Sequence, residues 1–198
     1  PGTMVWALAD VFQERIDFGA KLLVEQYGNR AQLDRSRLFS GLDSYKRLLQ
    51  TDIDVVLLCT PPAFRPEHLA AAIDASKHIY AEKPVAVDVP GVLSVLESAR
   101  LAKLKNLVIL DGFCWRYDKA NEEAHRKLSS GLLGRVLSCD GLYYTTPPKS
   151  PLALDSRPSS DTDVAWALRN WTAWNWLSGG QFVEQIVHTI DGMVWSMN

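Results

Sequence analysis

Hydrophobic and polar positions change period several times along this chain, and each change marks an element. Asp54-Val55-Val56-Leu57-Leu58-Cys59-Thr60 is apolar without alternation, the pattern of a strand covered on both faces. Pro61 and Pro62 end it, because proline has no amide hydrogen to give to a ladder. From Pro66 to Ala75, the apolar Leu69, Ala70, Ile73 and Ala75 fall mostly on one helical stripe, with Glu67, His68 and Asp74 turned to water. A second short strand then runs into Glu82-Lys83-Pro84. Val55 to Pro84 thus predicts one βαβ unit, two parallel strands joined by a crossover helix. In open sheets of this kind ligands bind at the carboxyl ends of the strands, where Thr60, Pro61 and Lys83 would lie.

The same reading extends outward. Thr3 to Ala9 predicts a short buried strand closed by Asp10, and Gln13 to Tyr27 an amphipathic helix with Ile16, Ala20, Leu23 and Val24 inward and Gly28 as its stop. Arg37 to Ser40 reads as a strand and Asp43 to Gln50 as a short helix, capped by Asp43 or Ser44. Asp88 to Leu104 is a helix with Val92, Val95, Leu96, Ala99 and Ala102 inward, and Leu107 to Leu110 a further strand. After Gly112 the texture changes. Tyr117 to Ser130 is a charged helix ended by Gly131 and Gly134, and Arg135 to Thr145 alternates like a half-exposed antiparallel strand. Pro147 to Asp163 reads as a long surface loop, aromatics crowd Trp166 to Trp176, and Gln181 to Met197 is a last helix. The expected fold class is α/β: a truncated Rossmann-type doubly wound parallel sheet (1–112) followed by the start of an α+β domain with an antiparallel sheet (113–198).

Composition narrows the function classes. The 198 residues are 47% hydrophobic and 22% charged with a net charge of -2, an ordinary globular balance that gives no electrostatic reason to expect nucleic acid or an anionic membrane as partner. No stretch approaches the ~18 apolar residues of a membrane span. The three cysteines, Cys59, Cys114 and Cys139, are far apart and outside any CxxC pattern, so neither a zinc site nor a disulfide framework is expected, and they read as buried, unreactive thiols.

Three constellations can carry chemistry. Asp10, at the end of a strand, can accept hydrogen bonds from an adenosine ribose, which favours NAD over NADP, or it can simply shape a turn or cap a helix. The glycine-rich phosphate loop should stand ~20 residues before such an acid, and only nine residues precede Asp10. The first strand and its loop are therefore expected upstream, making this an internal fragment that binds NAD weakly or not at all. Lys83 is the second. Near a nicotinamide a lysine can lose its proton through desolvation and so accept the proton of a substrate hydroxyl; Glu-Lys-Pro alone would be a surface turn, but a strand exit argues for the site. Glu184 and His188 are the third. Their i, i+4 spacing shares a helix face, suited to orienting a hydroxyl or moving a proton, or to forming a satisfied interface pair; without HExxH, metal ligation is not expected.

Thr60-Pro61-Pro62, KHIYAEKP at Lys77 to Pro84 and GGQFVEQIVHTID at Gly179 to Asp191 resemble the Gfo/Idh/MocA oxidoreductases. The resemblance covers the chain from Asp10 onward. It implies an NAD(P)-binding Rossmann half and an α+β half with a large antiparallel sheet. It also implies cofactor contacts from Asp10, Thr60, Pro61, Glu82 and Lys83, catalysis by Lys83 and His188 with Glu184 in a position usually held by aspartate, and substrate contacts from Trp115, Arg116, Tyr117 and Asp191.

On that basis the expected activity is NAD-dependent hydride transfer (NADP being second choice) at a hydroxyl of a sugar, cyclitol or related polyol. The rival readings are an NAD-dependent glycosidase of the same fold and a sugar- or NAD-sensing regulator without turnover. The expected partners are a small carbohydrate or polyol and, at full length, further copies of the chain. The cytoplasm is the favoured compartment, with an export signal upstream of Pro1 left open.

Overall fold

The computed structural model describes residues 2–146 and 151–197. Two parallel sheets organise the first half. In the smaller, β1 (Leu8–Asp10) pairs with β2 (Leu38–Ser40), and between them lie α1 (Gln13–Tyr27) and two short 3-10 turns. After α2 (Ser44–Leu49) comes the larger sheet, in which β3 (Val55–Leu58), β4 (His78–Ala81) and β5 (Ile109–Asp111) lie in that order, joined by α3 (Arg65–Asp74) and α4 (Val89–Leu104). The expected parallel α/β architecture is therefore present. Every described strand is parallel to its neighbour.

The core of the larger sheet forms on one face. Val56, Leu58, Ile79 and Ala81 pack against Leu69, Ala72 and Ile73 of α3 and Ala102 of α4. Each buried Leu or Ile contributes on the order of 1.5–3 kcal/mol. The opposite face of β3 is open, with Val55 at 50% and Leu57 at 65% exposure, which corrects the expectation of a strand covered twice. The reason is that α3 and α4 both lie on the same side. Cys59 continues the outward set of Val55 and Leu57 and is exposed, as is Cys114, so the expectation of buried thiols fails at both.

Three helix faces also differ from expectation, the first on α1, where Val24, expected inward, is exposed. On α4 it is Ser98 and Ala102 that are buried, while Val92 and Leu96 are exposed. The start of this helix is held against α3, where a Cβ at Gly91 would meet Ala86 at 2.9 Å and Pro66 at 3.2 Å, and that contact sets which stripe faces in. On α3, His68 is buried rather than solvated, because the proline turn folds the first helical turn beneath the β3 exit. In α2 the Asp43 carboxylate pairs with Lys46 at 2.6 Å instead of capping.

The second half is helical where it is regular. A 3-10 turn (Cys114–Tyr117) leads to α5 (Lys119–Ser129), whose amides at Ala120 and Asn121 are capped by Asp118. The expected strand over Arg135–Thr145 is not formed. Alternation makes a strand only when a neighbour supplies the ladder, and this segment instead lies along the last helix, with Gly141 against Thr189 and Met193 and the Tyr143 hydroxyl donating to Gln185 Oε1 at 3.0 Å. Of the expected loop, residues 147–150 lie outside the described residues. It ends where Thr162 caps α6 (Asp163–Arg169).

α7 (Asn175–Ser178) follows, then a π-helical turn (Phe182–Ile186) that runs directly into α8 (Val187–Met197). Ala167, Leu168 and Leu177 share a buried cluster with Phe12, flanked by Ala63 and Phe64. Arg169 strengthens this junction by pairing with Asp161 at 2.7 Å and with Glu14, its guanidinium 3.9 Å from the Phe12 ring centre. Among the described residues no helix is long and apolar enough to cross a membrane.

Candidate active site

The parallel register sets the site. Leu58, Ala81 and Asp111 lie in one row across β3, β4 and β5, so the residues just after them emerge together at the carboxyl edge of the sheet. Arg65 binds two of these exits to each other. It is 2% exposed, and its guanidinium donates to the carbonyls of Thr60 and Pro84. The Lys83–Pro84 peptide is cis. A buried cation is tolerable when paired or hydrogen-bonded, and here two carbonyls do that while fixing the residue that follows Lys83.

Lys83 reaches across to the π-helical turn. Its Nζ donates to the Glu184 carbonyl and lies 3.3 Å from Glu184 Oε2, with both side chains 14% exposed. Burial pushes the Glu184 carboxyl up, and Lys83 opposes that shift. Glu184 Oε1 is buried without a hydrogen-bond partner among the described residues. Gly179 makes the turn possible: its φ is +77°, and a Cβ there would meet Val183 Cβ at 2.6 Å. π-turns of this kind are frequent at functional sites.

His188 sits one turn on from Glu184, 9% exposed, inside an aromatic box. Trp115 stacks on it with ring centres 4.9 Å apart, Phe113 meets it edge-on at 6.2 Å, and Tyr143 stacks at 6.2 Å. Burial, and then the charge of Lys83, push the imidazole pKa down. The neutral ring is the favoured form, and its Nδ1 is buried with no partner among the described residues.

Asp191, on the same helix, grips Arg116 with two short bonds of 2.7 and 2.9 Å. Bidentate pairs of this type hold a guanidinium in one orientation. With Asp111, Phe113 and Tyr117 these two residues line a cavity of 330 Å³. Burial, then the nearby Asp191, push the Asp111 carboxyl up to about 6.

The remaining expected residues fall into two places. Glu82 accepts from the Tyr80 hydroxyl at 3.0 Å, and Gly112 passes so close that a Cβ would lie 2.9 Å from Glu82 Oε2. Thr60 pairs its hydroxyl with His68 Nδ1 at 3.1 Å, and the Pro61 carbonyl accepts the Phe64 amide. Asp10 stands apart, at the end of β1 in the other sheet. Its Oδ1 takes the Phe12 amide at 2.9 Å, shaping the entry to α1.

Arg65, Asp111, Phe113 and Tyr143 were not picked out from the sequence. Asp111 had a usable signal, being an acid that closes an apolar strand, as Asp10 does. Arg65 had none, since its burial follows from the way two strand exits converge.

A family model described as "Oxidoreductase family, NAD-binding Rossmann fold" matches residues 8–110, more than half of the chain. The chain belongs to this Gfo/Idh/MocA family. Curated Gfo/Idh/MocA relatives include D-glucoside 3-dehydrogenase of Escherichia coli (strain K12), 30% identical over 127 residues that span 64% of this chain and 31% of that protein. Levoglucosan dehydrogenase of Pseudarthrobacter phenanthrenivorans is 34% identical over 105 residues, 52% of this chain and 26% of the relative. Among solved structures, an oxidoreductase domain protein from Kribbella flavida superposes with a TM-score of 0.72 at 20% identity, covering 98% of this chain and 45% of the other. A levoglucosan dehydrogenase in complex with NADH and levoglucosan superposes with a TM-score of 0.68 at 23% identity, with the same coverage. The chain thus spans less than half the length of each of these four proteins, and the two structural likenesses show the fold.

Proposed function

We propose that this chain carries the nicotinamide-facing and substrate-facing groups of an NAD-dependent oxidoreductase that acts on a hydroxyl of a sugar, cyclitol or related polyol. The observation that carries the reading is the meeting of Lys83 with Glu184 at 3.3 Å beside the neutral His188. The relatives named as glucoside and levoglucosan dehydrogenases support the substrate class.

The residues fit the cofactor at two points. Glu184 Oε1 and His188 Nδ1 are buried polar atoms without partners among the described residues, while Asp10 offers a carboxylate at the end of a parallel strand in the other sheet. Asp10 would hold the adenosine ribose and favour NAD over NADP, and Thr60, Pro61, Glu82 and Lys83 would border the nicotinamide end. Bound NAD supplies the hydride acceptor or donor. The chain itself manages the proton and the orientation.

In the reducing direction Lys83, charged and held by the Glu184 carboxylate, donates a proton to the carbonyl oxygen as hydride arrives. In the oxidising direction Lys83 first passes one proton to the Glu184 carboxylate 3.3 Å away, whose carboxyl burial pushes up, and then takes the proton of the substrate hydroxyl. His188, kept neutral by burial, hydrogen-bonds a neighbouring hydroxyl. Trp115 offers an apolar ring to the sugar face, and Arg116, Tyr117 and Asp191 border its far side. Residues 1–112 serve as the cofactor unit and 113–198 as part of the substrate unit, and the intact protein assembles with further copies of itself.

The test is turnover of a polyol panel with NAD by the intact protein and its Lys83→Ala variant. A loss of about 10²–10⁴ in kcat is expected for removal of a proton-transferring group. Unchanged turnover in the variant would remove Lys83 from the chemistry.

A further inference from the structure

We propose that Asp111 is a specificity-determining substrate residue, accepting hydrogen bonds from hydroxyls of a neutral polyol and turning away substrates with a carboxylate or phosphate at that position. The inference deepens the reading above and rests on it for the identity of the reaction.

The geometry begins with the strand. Asp111 is the last residue of β5, level with Ala81, two residues before Lys83 on the neighbouring strand. Its side chain lines the 330 Å³ cavity with Arg116, Asp191, Tyr117 and Phe113. One of its oxygens, Oδ1, is buried and has no hydrogen-bond partner among the described residues. A buried carboxylate oxygen left unpaired is costly, and a ligand hydroxyl would relieve that cost once the side chain rotates this oxygen toward the cavity it lines.

Charge in the cavity then sets the kind of ligand. Arg116 is the cation on this wall, and Asp191 already engages it through two oxygens. Arg116 therefore has little charge left to offer an anion. With Asp111 ionised, two carboxylates face one guanidinium among the residues lining the cavity, so the wall is net negative and suited to donors. A hydroxyl donates to it, whereas a carboxylate or phosphate would meet repulsion in a partly buried setting where screening is weak.

A pH dependence follows. Asp111 is an acceptor when ionised, and burial with Asp191 nearby raises its carboxyl to about 6. The charged groups that bear on it are Asp191 from α8, Arg116 from the turn after β5, and Arg65 from α3, the two arginines pulling it down. Affinity for a neutral polyol should therefore fall as pH drops through about 6.

The experiment is equilibrium binding of myo-inositol and of D-glucuronate to the intact, NAD-loaded protein, followed by tryptophan fluorescence, for wild type, Asp111→Asn and Asp111→Ser. The expected result is a preference for the inositol in wild type. In Asp111→Asn the inositol Kd rises about tenfold, the size of one lost hydrogen bond to a charged group; the glucuronate Kd falls, and the step near pH 6 disappears. Asp111→Ser, smaller and neutral, shows the same loss of preference if Asn disturbs folding. An unchanged ratio of the two Kd values in both variants, with the pH step retained, would overturn the assignment. Turnover is scored separately: wild type that prefers inositol in an Asp111-dependent way but transfers no hydride would remove the dehydrogenase reading and leave Asp111 as the discriminating acid.

Discussion

Lys83 and Glu184 stand 101 residues apart in sequence and 3.3 Å apart in space. Both side chains are largely withdrawn from water, so each is the other's principal compensation. Glu184→Ala would leave the Lys83 ammonium held only by a backbone carbonyl. We expect a loss of about 1–3 kcal/mol in unfolding free energy, measured by urea titration, together with a fall in turnover. A variant that kept full stability and rate would show the pair to be incidental.

Arg65 should behave as a clasp between two strand exits. Arg65→Leu removes the donors to Thr60 and Pro84 and leaves two carbonyls unsatisfied in a buried setting. The expected cost is about 2–3 kcal/mol. Arg65→Lys, which keeps charge but loses the forked geometry, should restore a minor part of it. Thermal unfolding of the two variants side by side measures the difference, and equal midpoints for wild type and Arg65→Leu would refute the clasp.

Two buried groups should act on the acid stability of this chain with opposite sign. His68 is lowered from 6.5 to about 4, chiefly by burial. Its contribution is therefore present above pH 6.5 and is lost as pH falls toward 4. Asp111 is raised from 3.8 to about 6, so its contribution has the opposite sign, present below pH 3.8 and lost as pH rises through 6. Discounted for partial solvent screening, each is worth on the order of 1–2 kcal/mol, and between pH 4 and 6 they oppose one another. Asp111→Asn should expose a steep loss of stability on acidification over that window, and His68→Gln should expose a gain. Parallel slopes in wild type and both variants would contradict the assigned shifts.

Gly179→Ala tests the π-helical turn. The substitution places a side chain at φ +77° and drives its Cβ into Val183. A cost of about 1–3 kcal/mol is expected from crowding. Because Val183 precedes Glu184, a lowered kcat should accompany it. Crystallography of the variant would show whether the Glu184 carboxylate still reaches Lys83; an undisturbed pair with normal turnover would separate the turn from the site.

Much of the architecture could be read from local pattern. Gln13 to Tyr27 forms the helix expected of it, because its period and Gly28 act within a few residues. The βαβ unit and the Lys83 strand exit also follow, since the proline turn and apolar runs are short-range signals. The strand expected over Arg135–Thr145 did not form. Alternation is necessary for a half-exposed strand, yet hydrogen bonds to a neighbour create it, and no pattern within the segment can state whether one is there.

The site divides along the same line. Asp10, Lys83, Glu184 and His188 could be singled out because each chemical type stood at a telling place in a predicted element. Their grouping could not. Lys83 joins Glu184 and His188 while Asp10 remains at the end of a separate sheet, and that partition depends on how the last helix docks on the sheet edge. Burial adds what residue type cannot express. Arg65 and His68 look like surface residues of a charged helix turn and are enclosed, and Asp111 becomes an acid of raised pKa because of the neighbours brought around it. Identity and spacing act along the chain, whereas desolvation and charge pairing act through space, so those environments come into existence when distant segments pack.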